Sequence, residues 1–162
     1  MIRPLGDGDV DWAEAFLDRT LGGRTQARRG ELIDVLGEAG LVAEAGGARV
    51  GLVAWRAEED GRTAEITILA ITPEARGRGI GRALLDAAVK ALRTAGIDRV
   101  WLVTTNDNLA ALRLYQRAGW RLTLLRPGAV AEMRRTLKPS IPAISDAGIP
   151  IHDELELEIQ LG

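Results

Sequence analysis

The chain contains no cysteine and a single histidine, His152, among its 162 residues. The absence of cysteine excludes disulfides, thiolate nucleophiles, cysteine metal sites and any covalent mechanism that passes through a cysteine. One histidine cannot build a multi-histidine metal centre, and we predict that the chain has no metal site.

Long apolar runs and a large excess of one charge are missing too. No run approaches the ~20 apolar residues of a membrane span, and the segment from Met1 to Asp7 has no apolar signal core. The formal net charge is -2, whereas nucleic-acid binders usually carry a strong basic excess. We therefore expect a cytoplasmic protein that binds neither membranes nor nucleic acids.

The overall composition is that of an ordinary globular domain. Hydrophobic residues make up 46% of the chain and charged residues 27%, which is close to the usual mix. A chain of this length buries about 70% of the surface that its unfolded form exposes. We expect one domain that covers residues 1–162.

The start of the chain is predicted to hold a short strand and two helices. The strand covers residues 2–5, and Asp9 or Asp11 caps a first helix that Gly22 and Gly23 end. A second helix spans about residues 26–36. In that helix we expect apolar residues to face inward and charged residues outward: Leu32, Ile33 and Leu36 against Arg28, Arg29 and Glu31.

Four strands and a long helix are predicted in the middle of the chain. A hairpin at 41–45 and 49–57 precedes a long central strand at 63–71. A helix then ends at Gly96, and a buried strand follows at 99–104. The order strand, helix, strand implies a parallel crossover after an antiparallel meander.

The last part of the chain is predicted to alternate regular and irregular segments. Asn108 caps a helix at 109–118, and a strand follows at 120–126. Residues 127–150 hold four prolines and one short helix at 129–137. The final strand, 154–161, alternates aliphatic residues with glutamate and glutamine, so we expect one of its faces to be wet.

A cluster of glycines and arginines lies between the central strand and the long helix. It reads Arg76-Gly77-Arg78-Gly79-Ile80-Gly81 and is followed by Arg82. Alternate glycines let the backbone approach a ligand closely at a helix N-terminus, where amides and arginines attract phosphate. The spacing excludes the P-loop, which needs a lysine, and the dinucleotide fingerprint, which needs a glycine at position 82.

Two motifs in this chain resemble one family. Arg-x-x-Gly-x-Gly at Arg76, Gly79 and Gly81 resembles the pyrophosphate loop of the GNAT superfamily of acetyl-CoA-dependent N-acetyltransferases. The stretch N-x-x-A-x-x-L-Y-x-x-x-G-W, from Asn108 to Trp120, resembles the second acetyl-CoA segment of that family. The two motifs occur in the right order and at the usual distance, which strengthens the resemblance. The stretch from Lys138 to Pro150 resembles the tails of bacterial members whose acceptor is unassigned.

The resemblance implies a fold and an activity. The expected fold is α/β (mixed α+β), with a central twisted mixed sheet of about six to seven strands flanked by about four helices. The acetyl-CoA core would cover about residues 64–120, with an irregular insertion at 127–150 before the last strand. The coenzyme arm would enter where the strands at 63–71 and 99–104 part. The implied reaction is direct transfer of an acetyl group to a primary amine of a small molecule or protein.

Two residues are the catalytic candidates. Glu65 lies where many family members carry a catalytic glutamate, and it would accept the proton of the amine directly or through water. The alternative is an exposed glutamate paired with Arg62 or with a neighbouring strand. Tyr115, the only tyrosine, matches the family tyrosine that hydrogen-bonds the coenzyme sulfur. Because tyrosine is a weaker acid than a thiol, we expect it to act more as a hydrogen-bond donor, and the alternative is a core aromatic.

The resemblance also assigns residues to acetyl-CoA, the expected co-substrate. The end of the central strand would pair with the pantetheine arm, and the glycine loop would hold the pyrophosphate. Asn108 would both cap its helix and contact the arm. The predicted cofactor-binding residues are Leu69, Ala70, Ile71, Arg76, Gly77, Arg78, Gly79, Ile80, Gly81, Arg82, Asn108, Ala111 and Tyr115.

The acceptor is the least defined part. In the family, the helix at 129–137 and the residues Asp146, His152, Asp153 and Glu154 occupy one wall of the acceptor site. Their acidic side chains suit a cationic amine such as an aminoglycoside, a polyamine or lysine, and a solvated surface loop explains them equally well. An acyl-CoA-binding module without catalysis and a transferase for another acyl-CoA are the alternative functions. The final strand pairs either within the chain or with another copy, which would make a homodimer.

Overall fold

The computed structural model describes residues 1–37 and 39–162. The strands in these ranges are β1 (Ile2–Pro4), β2 (Thr25–Arg28), β3 (Glu31–Asp34), β4 (Ala39–Ala45), β5 (Ala48–Ala57), β6 (Thr63–Ile71), β7 (Arg99–Thr105), β8 (Arg121–Arg126) and β9 (Glu154–Gln160). The α-helices are α1 (Val10–Thr20), α2 (Ile80–Thr94), α3 (Leu109–Arg117) and α4 (Ala129–Thr136).

Seven of the strands form one mixed sheet in the order β1-β4-β5-β6-β7-β9-β8. The pairs from β1 to β6 are antiparallel, and β6 and β7 are parallel across α2. Strands β8 and β9 then return antiparallel to β7. The predicted mixed sheet, with its antiparallel meander and its parallel crossover pair, is therefore confirmed.

Helices cover both faces of this sheet. Neighbouring strand residues point to opposite faces, and on β5 these are Leu52 and Val53. Val53 joins a buried cluster with Leu84 and Leu85 of α2, whereas Leu52 joins another with Phe16 of α1. None of the helices in the described ranges is long and apolar enough to cross a membrane.

The second predicted helix, at 26–36, is wrong: strands β2 and β3 form a separate hairpin there. Its two-residue turn is Arg29-Gly30, and both residues have positive φ, 52° and 78°, as the tight hairpin turn requires. The expected orientation of the side chains is wrong as well, because Arg28 is buried and Leu32 is 47% exposed. Ile33 does face inward as expected.

Two further expectations about side chains need correction. The polar face of the final strand is wet only towards its end. Glu154 and Glu156 are buried and both accept hydrogen bonds from Arg126, whereas Gln160 is exposed. Strand β9 is also paired on both sides within the chain, so β8 forms the edge of the sheet. Asp9 precedes α1, but its carboxylate binds Arg3 rather than capping the helix.

Candidate active site

The parallel pair of strands is joined only at its start. Residues 63–65 of β6 pair with residues 99–101 of β7, and the pairing ends there. Strand β6 remains paired with β5 as far as Ile71, and β7 remains paired with β9. The opening therefore lies inside the sheet, and it exposes one main-chain edge of β6 from about residue 66 onward.

A cavity of about 530 Å³, the glycine-loop cleft, lies beside this opening. It is bounded by the end of β6, by the loop before α2 and by one side of α3. The structure brings nearly all the predicted cofactor-binding residues together in its lining, with Arg78 as the exception: Leu69, Ala70, Ile71, Arg76, Gly77, Gly79, Ile80, Gly81, Arg82, Asn108, Ala111 and Tyr115. Residues that are up to 46 positions apart in sequence thus meet at one site.

The glycine loop presents an open backbone surface to this cleft. Gly77 and Gly79 have φ values of 77° and 80°, a left-handed conformation that glycine adopts without strain. Apart from the two chain neighbours, no heavy atom of the described residues lies within 4 Å of the point where a Cβ would stand at either residue. Helix α2 begins directly after Gly79, so its free N-terminal amides form an anion-binding site.

Three arginines extend the positive charge beyond the loop. Arg82, Arg113 and Arg117 line a cleft of about 300 Å³ between the start of α2 and one side of α3. Arg82 also lines the glycine-loop cleft, so the two cavities adjoin. This lining contains no carboxylate among the described residues, but Arg82 forms an ion pair with Asp86 just outside it. Arg113 and Arg117 therefore supply most of the charge that suits a further phosphate.

A second cavity of about 240 Å³, the hairpin pocket, lies on the other side of the opening. Strands β6 and β7 form its floor, and the β2–β3 hairpin and α4 form its roof. Glu65, Glu154 and Arg28 are the charged residues in its described lining. The helix at 129–137 was predicted to border the acceptor site, and Val130 and Met133 of α4 do border this pocket.

Glu65 is buried at the edge of the hairpin pocket, with 2% of its surface exposed. Arg28 binds both carboxylate oxygens, with Nε at 2.6 Å from Oε2 and Nη2 at 2.8 Å from Oε1. Arg56 of the neighbouring strand donates a third hydrogen bond, to Oε1 at 3.1 Å. Because a carboxylate has about four acceptor positions, one position at Oε2 remains. The sequence suggested Arg62 as an alternative partner of Glu65, but Arg62 binds Asp98.

Tyr115 and Asn108 lie where the two cavities meet, since both residues line both cavities. Asn108 caps α3 as predicted, because its side-chain oxygen accepts a hydrogen bond of 3.3 Å from the Ala111 amide. The ring of Tyr115 packs against Trp120, with ring centroids 5.9 Å apart. Burial raises the pKa of the Tyr115 hydroxyl above its ordinary value. The hydroxyl is therefore a neutral hydrogen-bond donor over the pH range of ordinary assays.

Most of the polar residues expected near the acceptor lie elsewhere. Asp146, His152 and Asp153 are absent from the described lining of the hairpin pocket. The Gly128 amide, and after it His152, hold the pKa of Asp153 below its usual value. Within residues 1–37 and 39–162, no group of three or more histidines and carboxylates is placed to hold a metal ion.

Comparison with known proteins identifies the architecture. The model of the acetyltransferase (GNAT) family matches residues 10–120. The chain belongs to the GNAT acetyltransferase family. This match covers α1, the strands from β2 to β7, the glycine loop and α3, and it therefore includes the residues that line the glycine-loop cleft.

Individual relatives of this GNAT acetyltransferase agree with the family match. It is 43% identical over 112 residues to the uncharacterized protein YxbD of Bacillus subtilis, a match that covers 69% of this chain and 67% of YxbD. It is 44% identical over 66 residues to a mycothiol acetyltransferase of Beutenbergia cavernae, covering 41% of this chain but only 22% of that protein. The solved structure of yncA from Salmonella typhimurium with acetyl-CoA superimposes with a TM-score of 0.72, at 20% identity, covering 100% of this chain and 94% of that one.

Sequence reasoning predicted a helix where this acetyltransferase has the β2–β3 hairpin, and it therefore missed the residues that the hairpin supplies to the pocket. Arg28, Gln26 and Ala27 line the hairpin pocket, whereas the predicted helix turned Arg28 to solvent. One signal was available, because Gly30 would stand inside that helix, where glycine costs about 1 kcal/mol relative to alanine. Glu154 was identified as a candidate, but its burial depends on long-range partners, Arg126 and the Arg29 amide.

Proposed function

We propose that this GNAT acetyltransferase transfers the acetyl group of acetyl-CoA directly to a primary amine, within a single domain over residues 1–162. One observation supports this proposal above the others. Two cavities, one with an anion-binding loop and one with a buried carboxylate, meet at Tyr115 and Asn108 in the opening between β6 and β7. A donor and an acceptor entering from opposite sides would react at that junction.

The glycine-loop cleft fits the proposed coenzyme. Its open glycine backbone and the free amides of α2 suit the pyrophosphate, and Arg113 and Arg117 suit a further phosphate at the outer end. The free edge of β6 offers main-chain groups to the amides of the pantetheine arm, as an added strand would. When bound, acetyl-CoA would supply the activated acetyl group as a thioester.

The residues at the junction suit the proton transfers of direct attack. A primary ammonium loses one proton to solvent, and we propose that Glu65 relays it through the remaining acceptor position at Oε2. The neutral amine then attacks the thioester carbonyl carbon, so that the N–C bond forms and the C–S bond breaks. A second amine proton moves to the departing sulfur, which Tyr115 stabilises by donating a hydrogen bond, and the third stays on the amide.

Acetyl transfer is tested by measuring the release of CoA thiol with a colorimetric reagent, since the cysteine-free chain gives no background. We expect thiol release above the rate of hydrolysis when acetyl-CoA is mixed with a pool of primary amines, with acetylated products visible by mass spectrometry. Stabilisation by acetyl-CoA without turnover would instead indicate a binding module. Faster turnover with succinyl-CoA or propionyl-CoA would reassign the donor.

The Tyr115 hydroxyl is tested by Tyr115→Phe. We expect kcat to fall about 10- to 100-fold, because a hydrogen bond to a developing charge contributes about 1.5–3 kcal/mol, while the affinity for acetyl-CoA stays near the wild-type value. Since burial raises the pKa of Tyr115, the wild-type kcat should show no tyrosine ionisation up to about pH 10. A decline near pH 10 that is lost in Tyr115→Phe would contradict this assignment.

A further inference from the structure

The roof of the hairpin pocket is made of two segments that contact each other. Val130 and Met133 of α4 form a buried cluster against which Ala27 of β2 packs. Lys138, just after α4, donates hydrogen bonds to the carbonyl oxygens of Thr25 at 2.6 Å and Gly22 at 3.5 Å. The hairpin and the segment after β8 are thereby joined above the pocket, which limits the room for a long acceptor.

The volume of the hairpin pocket also indicates a small acceptor. At about 240 Å³ it is smaller than the range of about 300–1,000 Å³ that is typical of small-molecule sites. The glycine-loop cleft of the same protein, at about 530 Å³, lies inside that range. An acceptor that is enclosed by the hairpin pocket is therefore compact.

The carboxylates in the pocket lining already have cationic or amide partners. Glu65 binds Arg28 and Arg56. Glu154 accepts a hydrogen bond of 2.9 Å from Arg126 and one of 3.0 Å from the Arg29 amide. Among the described residues, the lining thus offers no carboxylate without a partner to balance the several charges of a polyamine or an aminoglycoside.

The remaining lining is rich in apolar side chains. They come from the floor, from the hairpin, from the residue after α1 and from the segment around α4, so apolar groups lie on several walls of the pocket. These residues are Leu21, Ile33, Ile66, Leu102, Met133 and Ile141. The lining also holds polar side chains, but Gln26, Thr67 and Thr105 already donate hydrogen bonds within the chain. The apolar groups therefore suit an apolar body, and the junction at Tyr115 and Asn108 remains for the amine.

We propose that the acceptor is a compact primary monoamine with an apolar body, of the alkylamine or arylalkylamine class. This inference rests on the acetyl transfer proposed above. The body of the acceptor lies between the hairpin and α4, and its nitrogen points to the junction with the glycine-loop cleft. The acidic residues that suggested a polycationic acceptor, Asp146 and Asp153, lie outside the pocket lining.

A panel of amines tests the class. Phenethylamine and hexylamine are compared with spermidine, with kanamycin and with a short peptide that has a free N-terminus, by thiol release at saturating acetyl-CoA. We expect kcat/KM to be at least about 100-fold higher for the two apolar monoamines, because groups that must be desolvated without a partner are rejected strongly.

A matched pair of variants tests whether the acceptor binds in the hairpin pocket. Ile141 lines the pocket, whereas Ile144 in the same segment is 60% exposed and does not. We expect Ile141→Trp to lower kcat/KM for phenethylamine about tenfold, with a smaller effect on methylamine, and Ile144→Trp to leave both unchanged. Thermal stabilisation by acetyl-CoA, which shows that a variant is folded, should persist in both.

The outcomes separate this inference from the proposed function. A preference for spermidine, kanamycin or the peptide would overturn the acceptor class and leave acetyl transfer intact. Turnover of the amine pool but of no amine in the panel would overturn the acceptor class as well. Stabilisation by acetyl-CoA with turnover of neither the pool nor the panel would indicate a binding module and would overturn the proposed function. Equal effects of the two tryptophan variants would overturn the location. If acetyl-CoA neither stabilises the protein nor is turned over, the proposed function itself fails.

Discussion

Gly79→Asp is expected to abolish the stabilisation that acetyl-CoA gives the wild-type protein. At one hundred times its Kd, the coenzyme should add about 2.7 kcal/mol to the free energy of unfolding, or roughly 5 to 11 °C in Tm for a chain of this size. The aspartate places a carboxylate at the start of α2, where the proposed pyrophosphate site lies. Loss of one or two charge-assisted hydrogen bonds and the added repulsion should weaken binding at least about 100-fold.

The chain offers a matched control for this variant. Gly148 has the same φ of 80°, and again no atom lies within 4 Å of its Cβ position, but it lines neither cavity. Gly148→Asp therefore introduces the same backbone strain and the same charge away from the site. We expect it to keep the full Tm shift with acetyl-CoA. An equal loss in both variants would mean that strain, rather than the anion site, explains the effect.

Glu65→Gln is expected to lower kcat by at least about 100-fold while the Tm shift with acetyl-CoA is retained. General base catalysis typically contributes about 10²- to 10⁴-fold, and the amide cannot accept the proton. The amide still accepts a hydrogen bond from Arg28, so the hairpin keeps part of its attachment to the sheet. Steady-state kinetics at saturating acetyl-CoA, with the melting curve recorded for the same preparation, measures both quantities.

Arg28, the ion-pair partner of Glu65, supplies the control variant. Arg28→Gln removes the same contact from the other side, because Arg28 is the residue that binds both oxygens of Glu65. If Glu65 serves only to attach the hairpin, the two variants lose activity equally. If Glu65 takes up the proton, we expect the loss in Arg28→Gln to stay within about tenfold, since the carboxylate and Arg56 remain.

The glycine loop and the sheet around it follow from local sequence. The strand at 63–71 was predicted with the bounds that β6 has, because a long apolar run ends in a turn signal and the helical pattern of α2 follows at once. The cavity lining follows in turn, since a loop after a strand and the start of the next helix share one edge of the sheet. The binding roles of these residues remain predictions.

The hairpin over the second pocket follows from contacts that a local pattern does not contain. Strands β2 and β3 have four residues each, which is too short for alternation to be told from a helical period. The contacts that attach the hairpin are long-range, and one of them is the ion pair between Arg28 and Glu65, 37 positions apart. A charged residue is expected at the surface unless its partner is known. The burial of Glu154 could not be predicted for the same reason.

The opening between β6 and β7 has a consequence for the lifetime of the protein. The sheet is interrupted half-way along its central pair, and the proposed coenzyme would bridge the interruption as a non-peptide strand. A ligand that binds only the folded state reduces the population of molecules that are transiently unfolded. Proteases cleave that transiently unfolded population. We therefore expect degradation to accelerate when acetyl-CoA is scarce, so that the amount of this enzyme follows the supply of its proposed co-substrate.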